Sequence, residues 1–200
     1  MLEYKLGVPS GLLSEWFYLA FPQLRPRISI ALSNFAFMQL LNHQQIASKV
    51  TRLAMEILER NTEEDELYII GINNRGMELA RRLVKGLQTI SSSPFHLRQL
   101  TISPASPLEP GPELEGELND LAGKAVLVVD DVANTGRTLF YALKPLQAIL
   151  PSKIEVAVLV DRRHKTWPIY VTYRGMDLST TLGDNVLVNF GGEGDVAILE

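Results

Sequence analysis

Cysteine is absent from the 200-residue chain, which excludes disulfide bonds and thiolate-bound metal centres. A chain without cysteine fits a reducing compartment, and we expect this one in the cytoplasm. No apolar run approaches the roughly 18 residues that are needed to span a bilayer. The aromatic cluster at 16–18 lacks the basic flank and the small-residue cleavage site of a signal peptide. We therefore expect no membrane partner.

Positive charge is also in short supply. The 19 Lys and Arg residues are outnumbered by 23 Asp and Glu residues, so the formal net charge is −4. This balance argues against a protein dominated by binding to nucleic-acid phosphates, although a local basic patch could persist. No Lys or Arg occurs between Arg98 and Lys124. The motif G-x-x-x-x-G-K-[ST] is absent as well, which excludes a P-loop nucleotide site.

The first 37 residues differ in character from the rest of the chain. They carry Pro9, Pro22 and Pro26 without a clear hydrophobic period, whereas regular patterns begin after Met38. Residues 1–37 are either a peripheral arm or the product of an over-extended gene start with Met38 as the initiator. We predict an N-terminal extension of uncertain status at 1–37 and one domain at 38–200, which is long enough to bury a full core.

Strand patterns alternate with helix patterns through the domain, which indicates an α/β fold with a parallel sheet. Asn42 followed three residues later by Gln45 is an N-cap pattern, and helical spacing then continues to about Arg60. A polar turn at 73–76 precedes a second helix, and a third begins near Thr138 and continues past Leu146. The predicted strands are 67–72, 97–102, 125–129, 154–160, 169–174, 186–190 and 195–199.

The stretch VLVVDDVANTGRTLF at 126–140 carries the chemistry. Asp130 and Asp131 follow a buried strand, and parallel sheets bind ligands outside the carboxyl ends of their strands. Carboxylates there can accept hydrogen bonds from sugar hydroxyls or hold a hydrated Mg²⁺. Thr135, Gly136 and Thr138 form a polar loop at a helix start, which suits a phosphate. The pattern predicts a ribose 5-phosphate site; the alternatives are residues that merely cap the helix and, ranked lower, a phospho-receiver domain.

The segment VVDDVANTGRT resembles the motif with which type I phosphoribosyltransferases bind phosphoribosyl pyrophosphate (PRPP). IIGINNRGMELARRL at 69–83 is similar to the pyrophosphate loop of the same family. Residues 50–61 and 157–169 resemble the branch that regulates pyrimidine operons by transcription attenuation and doubles as a uracil phosphoribosyltransferase. The similarity covers roughly residues 42–200. It implies a parallel five-stranded sheet flanked by helices, with a small hood over the active site.

The resemblance implies a role for each matching residue. Asp130 and Asp131 would be catalytic residues that bind the ribose hydroxyls and Mg²⁺, directly or through water. Arg75 would also be catalytic and would neutralise the departing pyrophosphate. The pyrophosphate loop of the family often contains a non-proline cis peptide, which would fall between Asn74 and Arg75. The implied PRPP-binding residues are Asn74, Arg75, Gly76, Asp130, Asp131, Ala133, Asn134, Thr135, Gly136, Arg137 and Thr138.

The resemblance also implies partners for the protein. A nucleobase, which is uracil in this branch, would receive ribose 5-phosphate from PRPP in a pyrimidine salvage reaction. A homo-oligomer is expected from the family. The implied base-binding residues are Val160, Asp161 and Arg162. The residues implied to bind RNA, with weak affinity, are Thr51, Arg52 and His164.

The flexible loop departs from the family pattern. The family places Tyr-Arg-Asp soon after an Ile-Thr-Leu strand, whereas here Leu100–Ile102 leads into Ser103–Pro104–Ala105 and an acidic, proline-rich segment that ends at Asp120. The arginine that should close over pyrophosphate is therefore missing. Three functions remain open at this point: a phosphoribosyltransferase, an RNA-binding regulator of pyrimidine genes, and a catalytically weak PRPP or nucleotide sensor.

Overall fold

The structure is a computed structural model that describes residues 38–179, 185–191 and 194–200. The extension predicted at 1–37 lies outside these residues. Gln39–Glu200 form one unit by their mutual contacts. Across the described ranges, no helix combines the length and the apolar character that a membrane crossing requires.

Five parallel strands form the centre of the main sheet, as predicted. A sixth strand of only two residues pairs antiparallel with one edge. The spatial order is β4-β3-β2-β5-β6-β7. The strands of this sheet are β2 (Leu67–Ile72), β3 (Phe95–Thr101), β4 (Glu113–Leu114), β5 (Ala125–Ala133), β6 (Lys153–Arg162) and β7 (Tyr173–Leu178).

Helices cover both faces of the sheet because its strands are apolar on both sides. In β5, for example, Leu127 packs into the core on one face and Val128 into the core on the other. Such near-continuous apolar runs are typical of parallel strands that are buried on both faces. The helices are α1 (His43–Arg60), α2 (Asn73–Ile90) and α3 (Arg137–Ala142), with short 3₁₀ turns at Leu118–Leu121 and Pro145–Ala148.

The start of α1 confirms the predicted N-cap. The Asn42 side chain accepts a hydrogen bond from the Gln45 backbone N–H, and the Gln45 side chain accepts one from the Asn42 N–H, both at 2.9 Å. This reciprocal pair satisfies donors that the first helical turn would otherwise leave unpaired. The helix ends at Arg60, where the sequence pattern also ended.

A smaller sheet corresponds to the expected hood. Its strands are β1 (Met38–Leu41), β8 (Val186–Asn189) and β9 (Val196–Leu199), in the order β1-β9-β8. Val186 and Val188 of β8 and Ala197 of β9 are buried in the same core cluster as α1 and α2. The apolar side chains of the small sheet therefore fix it against the helical layer that also supports the main sheet.

Several boundaries differ from the sequence predictions by a few residues, and three of the differences have a clear local reason. Strand β5 continues to Ala133, because β6 goes on pairing with it up to the Ala133–Asp161 register after β2 has stopped at Val129. The predicted turn at 73–76 is the first turn of α2. The predicted long helix ends at Ala142, and Pro145 begins a separate 3₁₀ turn, because proline cannot donate the backbone hydrogen bond of a continuing helix.

Two further predictions shift. The strand predicted at 169–174 begins only at Tyr173, after a segment without regular structure. The proline-rich segment 103–120 is not wholly irregular, since it contains β4 and the start of a 3₁₀ turn.

Glycine allows α2 to approach β5 closely at the carboxyl edge of the sheet. A Cβ atom on Gly76 would lie 2.5 Å from the Val129 carbonyl oxygen and 3.2 Å from an Asp130 carboxylate oxygen. Real Cβ contacts of 2.5 Å do not occur, so any larger residue would push α2 away from the acid pair. Because Gly76 has no side chain, the first turn of α2 can pack directly against the end of β5.

We expect Gly76→Ala to lower the free energy of unfolding by about 1–3 kcal/mol, because the added methyl group meets backbone that cannot move aside. Gly86→Ala on the same helix is the matched control. Its Cβ would meet only the Ala54 methyl group at 3.1 Å, and alanine favours the helix over glycine. Urea denaturation with a shared m-value measures both. A Gly76→Ala variant as stable as wild type would contradict the close approach.

Candidate active site

Two adjacent carboxylates lie at the carboxyl edge of the main sheet, where one neighbouring strand ends and the other continues. Asp130 and Asp131 follow Val129, the last residue of β5 that pairs with β2, while β6 still pairs alongside. Only 8% of Asp130 and 9% of Asp131 is exposed. The Asp131 backbone N–H donates to an Asp130 carboxylate oxygen at 2.9 Å. The pair is thus buried but sits at the edge where parallel sheets bind ligands.

Burial shifts the ionisation of both groups. It raises the pKa of Asp130 well above its ordinary value of 3.8, and the neighbouring charge of Asp131 raises it further. Burial also raises the pKa of Asp131, while the Asp130 hydrogen bond and the Arg75 charge act in the opposite direction. Ionising both buried carboxyl groups at once is therefore unfavourable in the free protein. A ligand that brings hydroxyl donors or a cation would stabilise their charged forms.

A cavity of about 440 Å³ opens beside the acid pair; we call it the ribose cavity. Asn74 and Arg75 from the first turn of α2 line it, and Arg75 Nη1 lies 4.0 Å from Asp131 Oδ2. Pro104 and the β8 segment 185–187 complete its walls. The pyrophosphate-loop residues and the acid pair predicted from separate parts of the sequence thus meet around one space.

The predicted phosphate loop, 133–138, forms a second and smaller cavity of about 60 Å³ that also touches Asp130. Gly136 has a φ of 84°, which places it in the left-handed region that glycine adopts without strain. Thr138 lines both cavities, whereas Thr135 and Arg137 line only the smaller one. The small cavity therefore adjoins the ribose cavity, with which it shares Asp130, Asn134 and Thr138.

Residues that follow β6 anchor the 133–138 loop through hydrogen bonds. The Lys165 ammonium donates to the Ala133 carbonyl at 3.1 Å and to the Arg162 carbonyl at 2.7 Å, and it is paired with Asp161. The backbone N–H groups of Thr166 and Trp167 both donate to the Thr135 carbonyl. The phosphate loop is thus fixed by a segment that the sequence pattern did not connect with it.

The predicted base-binding residues lie on β6 but not among the residues that line the ribose cavity. Val160 is fully buried in the core. The Asp161 carboxylate is paired with Lys165 and lies 3.6 Å from Arg174 Nη1. Arg162 Nη1 donates to Asn134 Oδ1 at 3.2 Å, so it supports the phosphate loop. A contact between these residues and a base remains a prediction.

The residues predicted to bind RNA have contacts within the protein. The Thr51 hydroxyl donates to the Ala47 carbonyl at 3.1 Å. Arg52 Nη2 donates to the carbonyls of Arg174 and Gly175 at 2.8 and 3.1 Å, which ties α1 to β7. About half of the Arg52 side chain remains exposed, and His164 is exposed. These contacts give Arg52 a structural role whether or not RNA binds.

The expectation of a cis peptide between Asn74 and Arg75 is wrong. The only cis peptide bond in the described ranges is Glu109–Pro110, so the Asn74–Arg75 bond is trans within the first turn of α2. The unusual backbone lies one residue earlier, at Asn73, whose φ is 50°. The Asn73 side-chain oxygen accepts a hydrogen bond from the Ile102 N–H at 3.0 Å and so joins α2 to the end of β3.

Sequence reasoning missed three contributors to the site: Asn73, Lys165 and the β8 wall. Asn73 was assigned only to a polar turn, and Lys165 was given no role. The β8 wall comes from more than fifty residues beyond the acid pair. Asn73 and Lys165 lie within the segments that resemble the family, but no pattern singles out these two residues or the β8 wall, so only the folded chain identifies them.

The donor set at the acid pair fits a magnesium ion. Nowhere in the described part of the chain do three or more His, Asp or Glu side chains gather around a metal position. Mg²⁺ needs no such cage, because it keeps several waters and is commonly bound through one or two carboxylates plus substrate phosphates. Asp130 and Asp131 are the residues that could hold it here.

The acid pair at the strand end, the 133–138 loop and Arg75 thus meet around two adjoining cavities. The family of the Phosphoribosyl transferase domain matches residues 37–190. The chain is 35% identical over 161 residues to the Bifunctional protein PyrR of Bacillus pumilus, covering 74% of this chain and 88% of the relative. It is 36% identical over 141 residues to the Pyrimidine operon regulatory protein of Lactococcus lactis subsp. lactis, covering 70% and 82%. The chain therefore belongs to the type I phosphoribosyltransferase family.

Solved structures support the same fold. The hypoxanthine phosphoribosyltransferase of Trypanosoma cruzi in complex with the product IMP superimposes with a TM-score of 0.65 at 17% identity, covering 81% of this chain and 93% of that one. A hypoxanthine-guanine phosphoribosyltransferase of Bacillus anthracis gives a TM-score of 0.59 at 20% identity, covering 70% and 81%. At these identities the likeness concerns the fold alone.

The raised pKa of Asp130 predicts that removing its charge stabilises the ligand-free protein at neutral pH. Between 3.8 and the raised native value, the native state binds more protons than the unfolded chain, so the free energy of unfolding falls as pH rises. Asp130→Asn removes this pH-dependent loss of stability, and its amide oxygen can still accept a hydrogen bond from the Asp131 N–H. Each pKa unit of elevation corresponds to about 1.4 kcal/mol.

Urea denaturation of Asp130→Asn and wild type across the pH range measures this effect. We expect the variant to be more stable near pH 7.5, with a difference that shrinks as the pH approaches 4. Asp65→Asn, at an exposed site, is the control and should change little at either pH. An Asp130→Asn variant that is less stable than wild type at pH 7.5 would contradict the burial of this charge.

Proposed function

We propose that the protein binds PRPP and transfers its ribose 5-phosphate to a nucleobase, uracil, with release of pyrophosphate. The observation that carries this proposal is the convergence of the acid pair, the 133–138 loop and Arg75 on two adjoining cavities. Each group has a matching part of PRPP: hydroxyls for the carboxylates, the 5-phosphate for the loop, and pyrophosphate for the arginine. As a member of its family, the protein falls in the glycosyltransferase class.

In the proposed reaction the bond between ribose C1 and the pyrophosphate oxygen breaks, and its electron pair leaves with pyrophosphate. A nitrogen of the base forms the new bond to C1, and the proton of that nitrogen is released. Because C1 carries oxocarbenium character between these events, the residues act mainly by positioning the reactants and by stabilising the departing charge.

The chain's own residues divide this work. Asp130 and Asp131 accept hydrogen bonds from the ribose hydroxyls and hold the sugar over the strand end. The 133–138 loop binds the 5-phosphate through Thr135, Thr138 and the N–H groups that the turn at Gly136 exposes. Arg75, whose side chain is about half exposed, offers its charge to pyrophosphate. Asn74 lines the same cavity.

Magnesium is the cofactor we propose, held by Asp130 and Asp131 directly or through water. When bound, it supplies positive charge that offsets the phosphate charges of PRPP. The burial of two adjacent carboxylates supports this assignment, because a divalent cation would stabilise their negative charges.

Uracil follows from the branch of the family rather than from a contact in the structure. The relatives include one named Pyrimidine operon regulatory protein, and the resemblance at 157–169 lies in the same branch. We propose that the base binds between β8 and the end of β6. Val160, Asp161 and Arg162 lie at that end of β6. A homo-oligomer is proposed on the same family grounds.

We expect the wild-type protein to form UMP from radiolabelled uracil, PRPP and Mg²⁺. Arg75→Gln should lower kcat/KM for PRPP about 10- to 100-fold, the range expected for losing a charged hydrogen bond in the transition state. Arg60→Gln removes an equally exposed arginine from the far end of α1 and should leave the rate unchanged. Wild-type protein that binds PRPP but forms no UMP would contradict transfer and support the sensor alternative.

Regulation of pyrimidine genes through RNA is the second candidate. A relative is named Pyrimidine operon regulatory protein, and RNA as the target follows from the family resemblance. Arg52 is already engaged with the carbonyls of Arg174 and Gly175 in β7, so we propose weak binding through Thr51, Arg52 and His164. A gel shift with a pyrimidine-operon leader RNA tests this, with a scrambled RNA as the control. Tight, leader-specific binding that responds to UMP would make regulation the principal function.

A further inference from the structure

A third cavity, of about 400 Å³, lies between α2 and β8; we call it the α2–β8 cavity. It shares Asn74 and Arg75 with the ribose cavity. Arg81, Gln99 and Asn189 add further polar groups to its lining. The volume falls within the range of about 300–1,000 Å³ that is typical of small-ligand sites. A ligand that leaves the ribose cavity past Arg75 therefore has a polar space to enter.

Besides Arg75, two charged residues of α2 line this cavity, Glu78 and Arg81, and the neighbouring Arg82 pairs with Glu78. Arg82 is fully engaged, because it is paired with Asp195 and donates through Nε to Glu78 at 3.0 Å. Its guanidinium also lies 4.8 Å from the centre of the Phe190 ring. Arg82 thus shares its charge between Asp195 and Glu78 and offsets the negative charge of Glu78 only in part. Arg81 lies 3.7 Å from the same Glu78 carboxylate and is 56% exposed, so it retains hydrogen-bonding capacity for a ligand.

The loop that should bring a cation to pyrophosphate does not supply one. No Lys or Arg occurs between Arg98 and Lys124. Arg98 itself is engaged on β3, where it donates to the Glu117 carbonyl at 2.7 Å and is paired with Asp120. Among the described residues that line the ribose cavity, Arg75 is then the one cation that faces the highly charged leaving group. A second cation has to come from another element if the charge is to be offset by the protein.

The position of Arg81 on α2 suits this need. It follows Arg75 by six residues, which corresponds to a rise of about 9 Å along a helix. Long side chains on helices lean back toward the N-terminus, which brings the Arg81 guanidinium toward the turn that carries Arg75. Both arginines line the α2–β8 cavity. A diphosphate has two charged ends, and each arginine can meet one of them.

We propose that Arg81 binds the pyrophosphate group in the α2–β8 cavity and supplies the positive charge that the 103–120 loop lacks. This inference rests on the proposed phosphoribosyl transfer and extends its pyrophosphate subsite to a residue two turns into α2. Arg82 acts indirectly, by holding Glu78 so that its carboxylate does not oppose the ligand.

Isothermal titration calorimetry of pyrophosphate with Mg²⁺ into the full chain tests the proposal. We expect Arg81→Gln to raise the Kd about five- to tenfold, between the effects of an exposed ion pair and of a charged hydrogen bond. Arg81→Lys keeps the charge and should recover most of the affinity at low salt. Lys85→Gln is the matched control, because it removes one positive charge from an exposed position one turn further along α2 and should leave the Kd within twofold.

Several outcomes would overturn the proposal: wild type that does not bind pyrophosphate, Arg81→Gln with an unchanged Kd, or Lys85→Gln that weakens binding equally. The parallel assay of UMP formation keeps this inference separate from the proposed function. If Arg81→Gln loses pyrophosphate affinity while wild type forms no UMP, the subsite stands and transfer fails. If wild type forms UMP and Arg81→Gln binds pyrophosphate normally, transfer stands and the role of Arg81 fails.

Discussion

Two carboxylates held side by side and largely out of water are the constraint on which the rest of the site depends. Burial raises the pKa of both carboxyl groups, and the charge of Asp131 raises that of Asp130 further, so two negative charges here call for a positive or hydrogen-bonding counterpart. The surrounding groups provide such counterparts or leave room for them. Arg75 approaches from α2, the ribose cavity admits a ligand with hydroxyls, and a magnesium ion would fit the donor set. An energetically unfavourable ligand-free arrangement of this kind is typical of functional sites.

The scaffold around the pair works by close approach and by anchoring. Gly76 lets α2 rest directly against β5, so the arginine before it is delivered next to the carboxylates. Lys165 and the backbone of 166–167 hold the phosphate loop from the opposite side. The β8 strand forms a wall shared by the ribose cavity and the α2–β8 cavity. Strands, helices and loops from distant parts of the chain thus form the walls of one small region around the acid pair.

The sequence predicted the parallel sheet and the position of the acid pair at a strand end, because apolar runs and the polar residues that follow them encode both locally. The phosphate-binding role of the 133–138 loop stays a prediction. The sequence placed the end of β5 too early, since only the partner strand β6 determines that pairing continues to Ala133. It likewise missed Lys165 and the β8 wall, which reach the site through tertiary contacts alone. The residues 160–162 were carried over from family resemblance, and a base contact for them is still a prediction. Arg52 illustrates the converse, because a residue predicted to face RNA holds β7.

The central claim is that one phosphoribosyl group spans the acid pair and the 133–138 loop. A crystal structure of the protein with PRPP and Mg²⁺ tests it most directly. We expect the ribose hydroxyls, or the waters of a bound Mg²⁺, within hydrogen-bonding distance of Asp130 and Asp131, with the 5-phosphate against the N–H groups near Gly136. PRPP bound elsewhere, or bound with its ribose hydroxyls away from both carboxylates, would contradict the claim.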